Sequence, residues 1–290
     1  MRDVIIGSIT NYTITQIRPW VESLKQSGFT GNKYMVCYNI DYETVDYLKD
    51  NGFILKLFIN VPHEKRYTYN FPRNFHICVH RFIDMWDFLN QQPQEIKNEF
   101  RFLISTDVGD VIFQSNPSIW LENNLKDKFK INAATESIRY KDEILWGAEN
   151  IRQSFGNNVY EKIKDNLIYN AGTISGRYQN VIDMFLVIYN MCQGFLTRNP
   201  DQAAYNLLLS LEPYKSVTKF NMSEDGWACQ LGTTMHLNAL QYFEQKLVEP
   251  RPVVENGIVC TNKKRKPFVI VHQYNRVPDL VEMINKKYSI

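Results

Sequence analysis

Several devices that would declare a protein's class are missing from this sequence. Its five cysteines, Cys37, Cys78, Cys192, Cys229 and Cys260, are odd in number and far apart, with no Cys-any-any-Cys pair. Neither a disulfide framework nor a zinc site is supported, and the thiols read as small buried hydrophobes in a reduced compartment. No stretch approaches the roughly 18 apolar residues of a membrane-spanning helix, and the opening MRDVIIGSIT has too short an apolar run for a signal peptide. A soluble, cytoplasmic protein with no membrane span is expected. The net charge of +2 is too small for the overall balance to call for nucleic acid or a membrane surface. Gly-rich phosphate loops, internal repeats and low-complexity linkers are absent too, so no strong domain boundary emerges.

What is there is ordinary in bulk. Apolar residues make up 44% and charged residues 22% of 290, the balance of a globular protein able to bury roughly three quarters of its unfolded surface. The chain is organised around Phe100 to Gln114, FRFLISTDVGDVIFQ. Phe102-Leu103-Ile104 is the apolar run of a strand buried on both faces, and it stops at Ser105-Thr106 and two carboxylates, Asp107 and Asp110. Ligands of open α/β sheets lie outside the carboxyl ends of the strands, where two acids can hold a divalent cation. Gly109 lets the backbone turn or come close to a ligand. An ordinary turn is the plainer use of the same residues.

Around this stretch the pattern alternates. Asp3 to Ile9 reads as a strand; Thr13 caps a helix with Ile14, Ile17, Val21 and Leu24 on one side, and Gly28 ends it. Lys33 to Ile40 is a second strand, Asp41 caps a helix through Leu48, and Phe53 to Ile59 is a third strand. Strands alternating with helices imply a parallel sheet with nucleotide-type binding at the strand ends. The first loop, Thr10-Asn11-Tyr12, then lies near a nucleotide, with Tyr12 able to stack on a base. Residues 62 to 75 bring Lys65, Arg66 and Arg73 into a loop. Ile77 to Leu89 follows as a helix with Val79, Phe82, Ile83, Trp86 and Leu89 toward the core. Arg81 lies on its other side, where a guanidinium suits a diphosphate.

Beyond the acids, Asn116-Pro117 caps a short helix, and Lys130 to Thr135 is a strand ending in Glu136. Trp146 to Phe155 is helical. Leu167 to Ser175 reads as a strand interrupted at Asn170-Ala171-Gly172, the mark of a bulge or a close approach to a ligand. Val181 to Cys192 is helical, and Asp201 caps a further helix, Gln202 to Leu211. Lys215 to Phe220 and Phe268 to Val271 are strand candidates, the second ending in His272, and Pro278 to Ile284 is a terminal helix. The basic run Lys263-Lys264-Arg265-Lys266 reads as a solvated loop, so no nucleic-acid partner is expected.

Taken in order, the strand-helix N-terminal half, Asp107 and Asp110, Asn170-Ala171-Gly172, Asp201-Gln202 and the late His272 resemble the GT-A glycosyltransferases, most closely the glycogenin-like retaining group. The likeness runs from Val4 to about Arg276. It implies an α/β, Rossmann-like fold with a mostly parallel central sheet flanked by helices and a smaller mixed acceptor-side region. One domain spans 1–290, with a nucleotide-binding half (1–115) and an acceptor-side half (116–290). It implies Mn²⁺ or Mg²⁺ held by Asp107, Asp110 and His272, although two residues separate the acids where the family pattern has one. One imidazole among oxygens suits Mn²⁺ better than Ca²⁺. The resemblance also implies a nucleotide-sugar donor, UDP favoured, and a glycan or protein acceptor. Asn170, Ala171 and Gly172 are then near the transferred sugar and Asp201-Gln202 close to its anomeric carbon. Arg81 and Arg276 are the candidates for the diphosphate. An inverting reaction needs a base, Asp201 or Glu136; a retaining one places Asp201 or Gln202 behind the sugar. A non-catalytic nucleotide-sugar-binding module, or a nucleotidyltransferase on a similar sheet, would use the same pieces. A homodimer is compatible with this fold.

Overall fold

A computed structural model describes residues 1–61, 63–71, 76–194 and 200–288. The N-terminal half contributes β1 (Arg2–Thr10), β2 (Asn32–Tyr38), β3 (Ile40–Asp41), β4 (Phe53–Phe58), β5 (Arg66–Tyr67), β6 (Phe100–Thr106) and β7 (Val111–Phe113). The rest contributes β8 (Ile131–Arg139), β9 (Leu167–Tyr169), β10 (Thr173–Arg177), β11 (Thr218–Asn221), β12 (Ala228–Gln230), β13 (Val253–Glu255), β14 (Ile258–Cys260) and β15 (Ile270–His272). Eight strands form the central sheet in the order β11-β8-β10-β6-β1-β2-β4, with β9 on β8. It is mostly parallel; β10 runs antiparallel between β6 and β8.

Burial on both faces explains the apolar strands. Along β1, Val4 and Ile6 join one core and Ile5 and Ile9 the other; along β6, Leu103 joins the first and Phe102 and Ile104 the second. That is the two-residue period of a strand with helices on both sides. Helix Ile14–Gln26 covers one face through Ile17, Trp20, Val21 and Leu24. Helices Ile77–Asn90 and Tyr178–Met191 cover the other, with Phe82 and Phe185 ring centroids 5.4 Å apart. Two of the expected caps are formed by side-chain bonds: Asp41 accepts from the Thr44 N–H at 2.7 Å, and Asn116 from Ser118 at 2.9 Å with Pro117 opening the helix.

Tertiary pairing overrides the expected pattern in several places. Helix Ile77–Asn90 buries Met85 and Phe88 with Val79, Phe82 and Leu89, while Ile83 and Trp86 are only half-buried. Packing against Tyr178–Met191 turns its inner face. The run Leu167 to Ser175 is two strands, β9 and β10, because residues 170–172 leave the ladder to meet Asp107. Lys215 belongs to a helical turn, Tyr214–Val217, and only Thr218–Asn221 pairs with β8. Asp201 lies inside the first turn of helix Pro200–Leu209 and does not cap it. The strand before His272 is outside the central sheet; β15 lies between β12 and β7 in a three-stranded sheet.

Candidate active site

The acidic stretch forms a turn between two sheets. β6 ends at Thr106, whose Oγ1 accepts from the Trp20 indole N–H at 2.8 Å, and the Asp107 N–H donates to the Gly172 carbonyl at 2.9 Å. The chain turns through Val108 and Gly109 and enters β7, which pairs antiparallel with β15 so that His272 lies opposite Val111. Four-residue turns bring their ends together, so the wider acid spacing still puts both carboxylates on one side. Oxygen atoms of Asp107 and Asp110 lie 3.4 and 3.5 Å from His272 Nε2, and one ligand atom from each of the three residues falls within 4.8 Å of the others.

Register also orients the imidazole. β12 pairs with β15 so that Gln230 lies opposite His272, and their side chains meet at 2.6 Å. Gln230 Nε2 donates to Thr173 Oγ1 at 3.1 Å, which leaves its oxygen to accept from Nδ1–H of His272. Nε2 therefore faces the acids. Burial disfavours a charged His272, but Asp110 and Asp107 outweigh it and push its pKa up to about 10. Burial likewise pushes Asp107 up, yet Arg81 and His272 hold it below the ordinary carboxylate value. Two carboxylates and an imidazole nitrogen converging here are a donor set that fits a divalent cation. Gly172 keeps the space open: a Cβ there would stand 2.6 Å from His272 Cε1 and 2.7 Å from Asp107 Oδ2.

A second network joins this cluster to the C-terminal half. Arg81 pairs with Asp107 through one guanidinium nitrogen and with Asp201 through another at 3.1 Å. Burial pushes the Asp201 carboxyl up and Arg81 pulls it back. Its Oδ1 and Arg81 Nε are buried without a hydrogen-bond partner among the described residues, an arrangement that calls for a ligand or water. Glu136 Oε1 accepts from Asn170 Nδ2 at 2.7 Å and Gln202 Nε2 at 2.8 Å. Asn170 Oδ1 in turn accepts from the Gly172 N–H at 2.7 Å and Gln202 Oε1 from Ala171 at 3.3 Å. Burial raises the Glu136 pKa, an effect both amides oppose.

Two cavities that share lining residues meet at these groups. One, about 480 Å³, is lined by Arg81, Asp107, Asp110, Glu136, Asn170, Ala171, Gly172, Asp201, Gln202, His272 and Arg276. The other, about 510 Å³, has Thr10 and Tyr12 on its wall and shares Arg81, Asp107 and Asp110. Tyr12 lies against Gly109, where a Cβ would come 2.8 Å from its hydroxyl. Asn11 lines neither; it is exposed in the left-handed region, with φ of 57°. Lys65 is exposed, Arg66 donates to the Asn39 carbonyl at 2.6 Å, and Arg73 lies outside the described residues. Sequence reasoning missed Gln230, Glu143, Trp146 and His236. Gln230 is indistinguishable from any polar residue until β12 and β15 pair.

The fold is that of the GT-A-type glycosyltransferases. A solved structure of the galactosyltransferase LgtC, described in complex with donor and acceptor sugar analogues, is similar with TM-score 0.55 at 12% identity, over 98% of this chain and 95% of that one. The bifunctional glycosyltransferase WbbM is similar with TM-score 0.55 at 11% identity over 98% of this chain. GlyE of Streptococcus pneumoniae TIGR4 has TM-score 0.52 at 15% over 99%. The matches take in 50% of the WbbM chain and 63% of the GlyE chain. No protein-family model and no curated protein matches the sequence. Among the described residues no helix is long and apolar enough to cross a membrane.

Proposed function

We propose that this protein is a glycosyltransferase that moves a sugar from a nucleoside-diphosphate donor, a UDP-sugar for preference, to a hydroxyl of a glycan or protein. The reaction retains anomeric configuration, as in the glycogenin-like group. One observation carries the reading: Asp107, Asp110 and His272 converge beside the orphaned Asp201 Oδ1, where two cavities meet at the ends of parallel strands. A Mn²⁺ or Mg²⁺ ion held by those three residues would supply positive charge for a departing diphosphate.

The protein's own groups have distinct tasks. Thr10 and Tyr12 line the nucleoside side. Arg276 has no side-chain partner among the described residues and is available for phosphate oxygens. Asp201 Oδ1 accepts a hydroxyl of the donor sugar, and Arg81 holds that carboxylate in place. Glu136 is committed to orienting Asn170 and Gln202, which favours retention because no strong base is left for the acceptor. The expected outcome is slow hydrolysis of a UDP-sugar with Mn²⁺ that disappears in EDTA and in Asp110→Ala. Activity untouched by either change removes the cation from the mechanism.

A further inference from the structure

In the cavity of about 480 Å³ many polar side chains are already engaged by a neighbour: Arg81, Asp107, Glu136, Asn170, Gln202 and His272 bond to one another or to Gln230. Two side chains of the lining are different. The Trp146 indole is 39% exposed, and neither its N–H nor its ring has a partner among the described residues. The half-buried His236 imidazole lines the same cavity and also makes no side-chain hydrogen bond among them. The Trp146 platform is held in place. Glu143 accepts from the backbone N–H of Trp146 at 3.1 Å and from that of Gly147, closing the turn that presents the indole. Gly147 permits this, since a Cβ there would come 2.7 Å from Glu143 Oε2. Leu145, Ala239 and Phe243 complete an apolar wall.

An anchored, half-exposed indole and an imidazole without a side-chain hydrogen bond among the described residues, lining one cavity with many polar groups, are a surface for a molecule with one apolar face and a hydroxyl edge. We infer that Trp146 and His236 form the acceptor subsite and that it takes the terminal pyranose of an uncharged glycan. The C–H face of the sugar ring packs on the indole and a ring hydroxyl bonds to His236. Lack of charge follows from the wall: Glu136, Glu143, Asp107, Asp110 and Asp201 line the cavity, and Arg81 is already shared by two of them. Arg276 is the remaining guanidinium of the lining, and the diphosphate claims it. With the cation and Arg276 both engaged by the diphosphate, an anionic acceptor meets Glu136, Glu143 and Asp201 with no free guanidinium or ammonium in the lining to offset them.

This inference rests on the glycosyltransferase reading, and the test separates the two. Saturation-transfer NMR is run on the whole protein with methyl β-galactoside, methyl β-glucoside, lactose and methyl β-glucuronide, in the presence of UDP and Mg²⁺ so that Arg276 and the acids are engaged as they would be by the donor. The neutral glycosides bind through the C–H protons of one ring face, the glucuronide is at least about fivefold weaker, and Trp146→Ala weakens the neutral sugars about tenfold. Trp146→Phe restores most of the binding because a stacking face remains, and His236→Ala raises the acceptor KM more than it lowers kcat. Unchanged sugar binding in Trp146→Ala, or no binding by the wild type, overturns the subsite even if nucleotide sugars are cleaved. Equal binding of the glucuronide overturns the uncharged-acceptor assignment. Glycoside binding lost in Trp146→Ala, with no nucleotide-sugar cleavage, upholds the subsite and refutes the transferase reading.

Discussion

Replacing Gly172 by alanine adds a single methyl carbon at the centre of the proposed cation site. That carbon would lie 2.6 Å from His272 Cε1, 2.7 Å from Asp107 Oδ2 and 2.9 Å from Asn170 Oδ1. To reach ordinary carbon contact at about 3.5 Å the imidazole must retreat by roughly 0.9 Å. It cannot do so freely, because His272 is 2% exposed and its Nδ1 is held by Gln230 at 2.6 Å. Gly172 is not among the positive-φ glycines, so the backbone tolerates alanine and the effect isolates the added carbon. Overpacking of this kind costs about 1–3 kcal/mol, and displaced ligands lower metal affinity by roughly 10–100-fold. The assays are urea unfolding without metal and Mn²⁺ titration by calorimetry. A variant with wild-type stability and wild-type Mn²⁺ affinity would refute the crowding argument, and tight Mn²⁺ binding despite lost stability would move the cation elsewhere.

Other perturbations test other links. Gln230→Leu removes the acceptor that fixes the His272 tautomer and should weaken Mn²⁺ by about tenfold or more; an unaltered titration rejects the orienting role. Arg81→Ala strands Asp107 and Asp201, the latter almost wholly buried, and should cost about 3–5 kcal/mol in urea unfolding. Arg81→Lys restores little, because one ammonium cannot span both carboxylates. Glu249 tests electrostatics away from the site. Burial raises its pKa above 4.5, against the pull of the Ser223 N–H and Ser137 hydroxyl, so the native state keeps this proton to higher pH than the unfolded chain. Its contribution is full below 4.5 and is lost as pH rises through the native value. Glu249→Gln should therefore gain stability relative to the wild type as pH rises from about 4 to 7, and a pH-independent difference rejects the assignment.

Local chemistry wrote much of the fold into the sequence. The apolar run Phe102 to Ile104, the alternation of β1, and the caps at Asp41 and Asn116 depend on neighbours a few residues away, and they form where the pattern places them. Asp107, Asp110, Asn170 to Gly172, Asp201, Gln202 and His272 stood out because polar residues interrupting buried elements are costly without a use. Which of them meet was another matter. His272 reaches the acids because β15 pairs with β7 outside the central sheet, and Gln230 reaches His272 because β12 pairs on the other side. Such pairings depend on register between segments forty or more residues apart, to which no local spacing points. The sequence alone determined an alternating α/β chain with acids at a strand exit. Only the tertiary structure decided that a three-residue acid spacing closes on one histidine, that Glu136 is held by two amides, that Asn11 turns away, and that Trp146 and His236 line the cavity without a side-chain hydrogen-bond partner among the described residues.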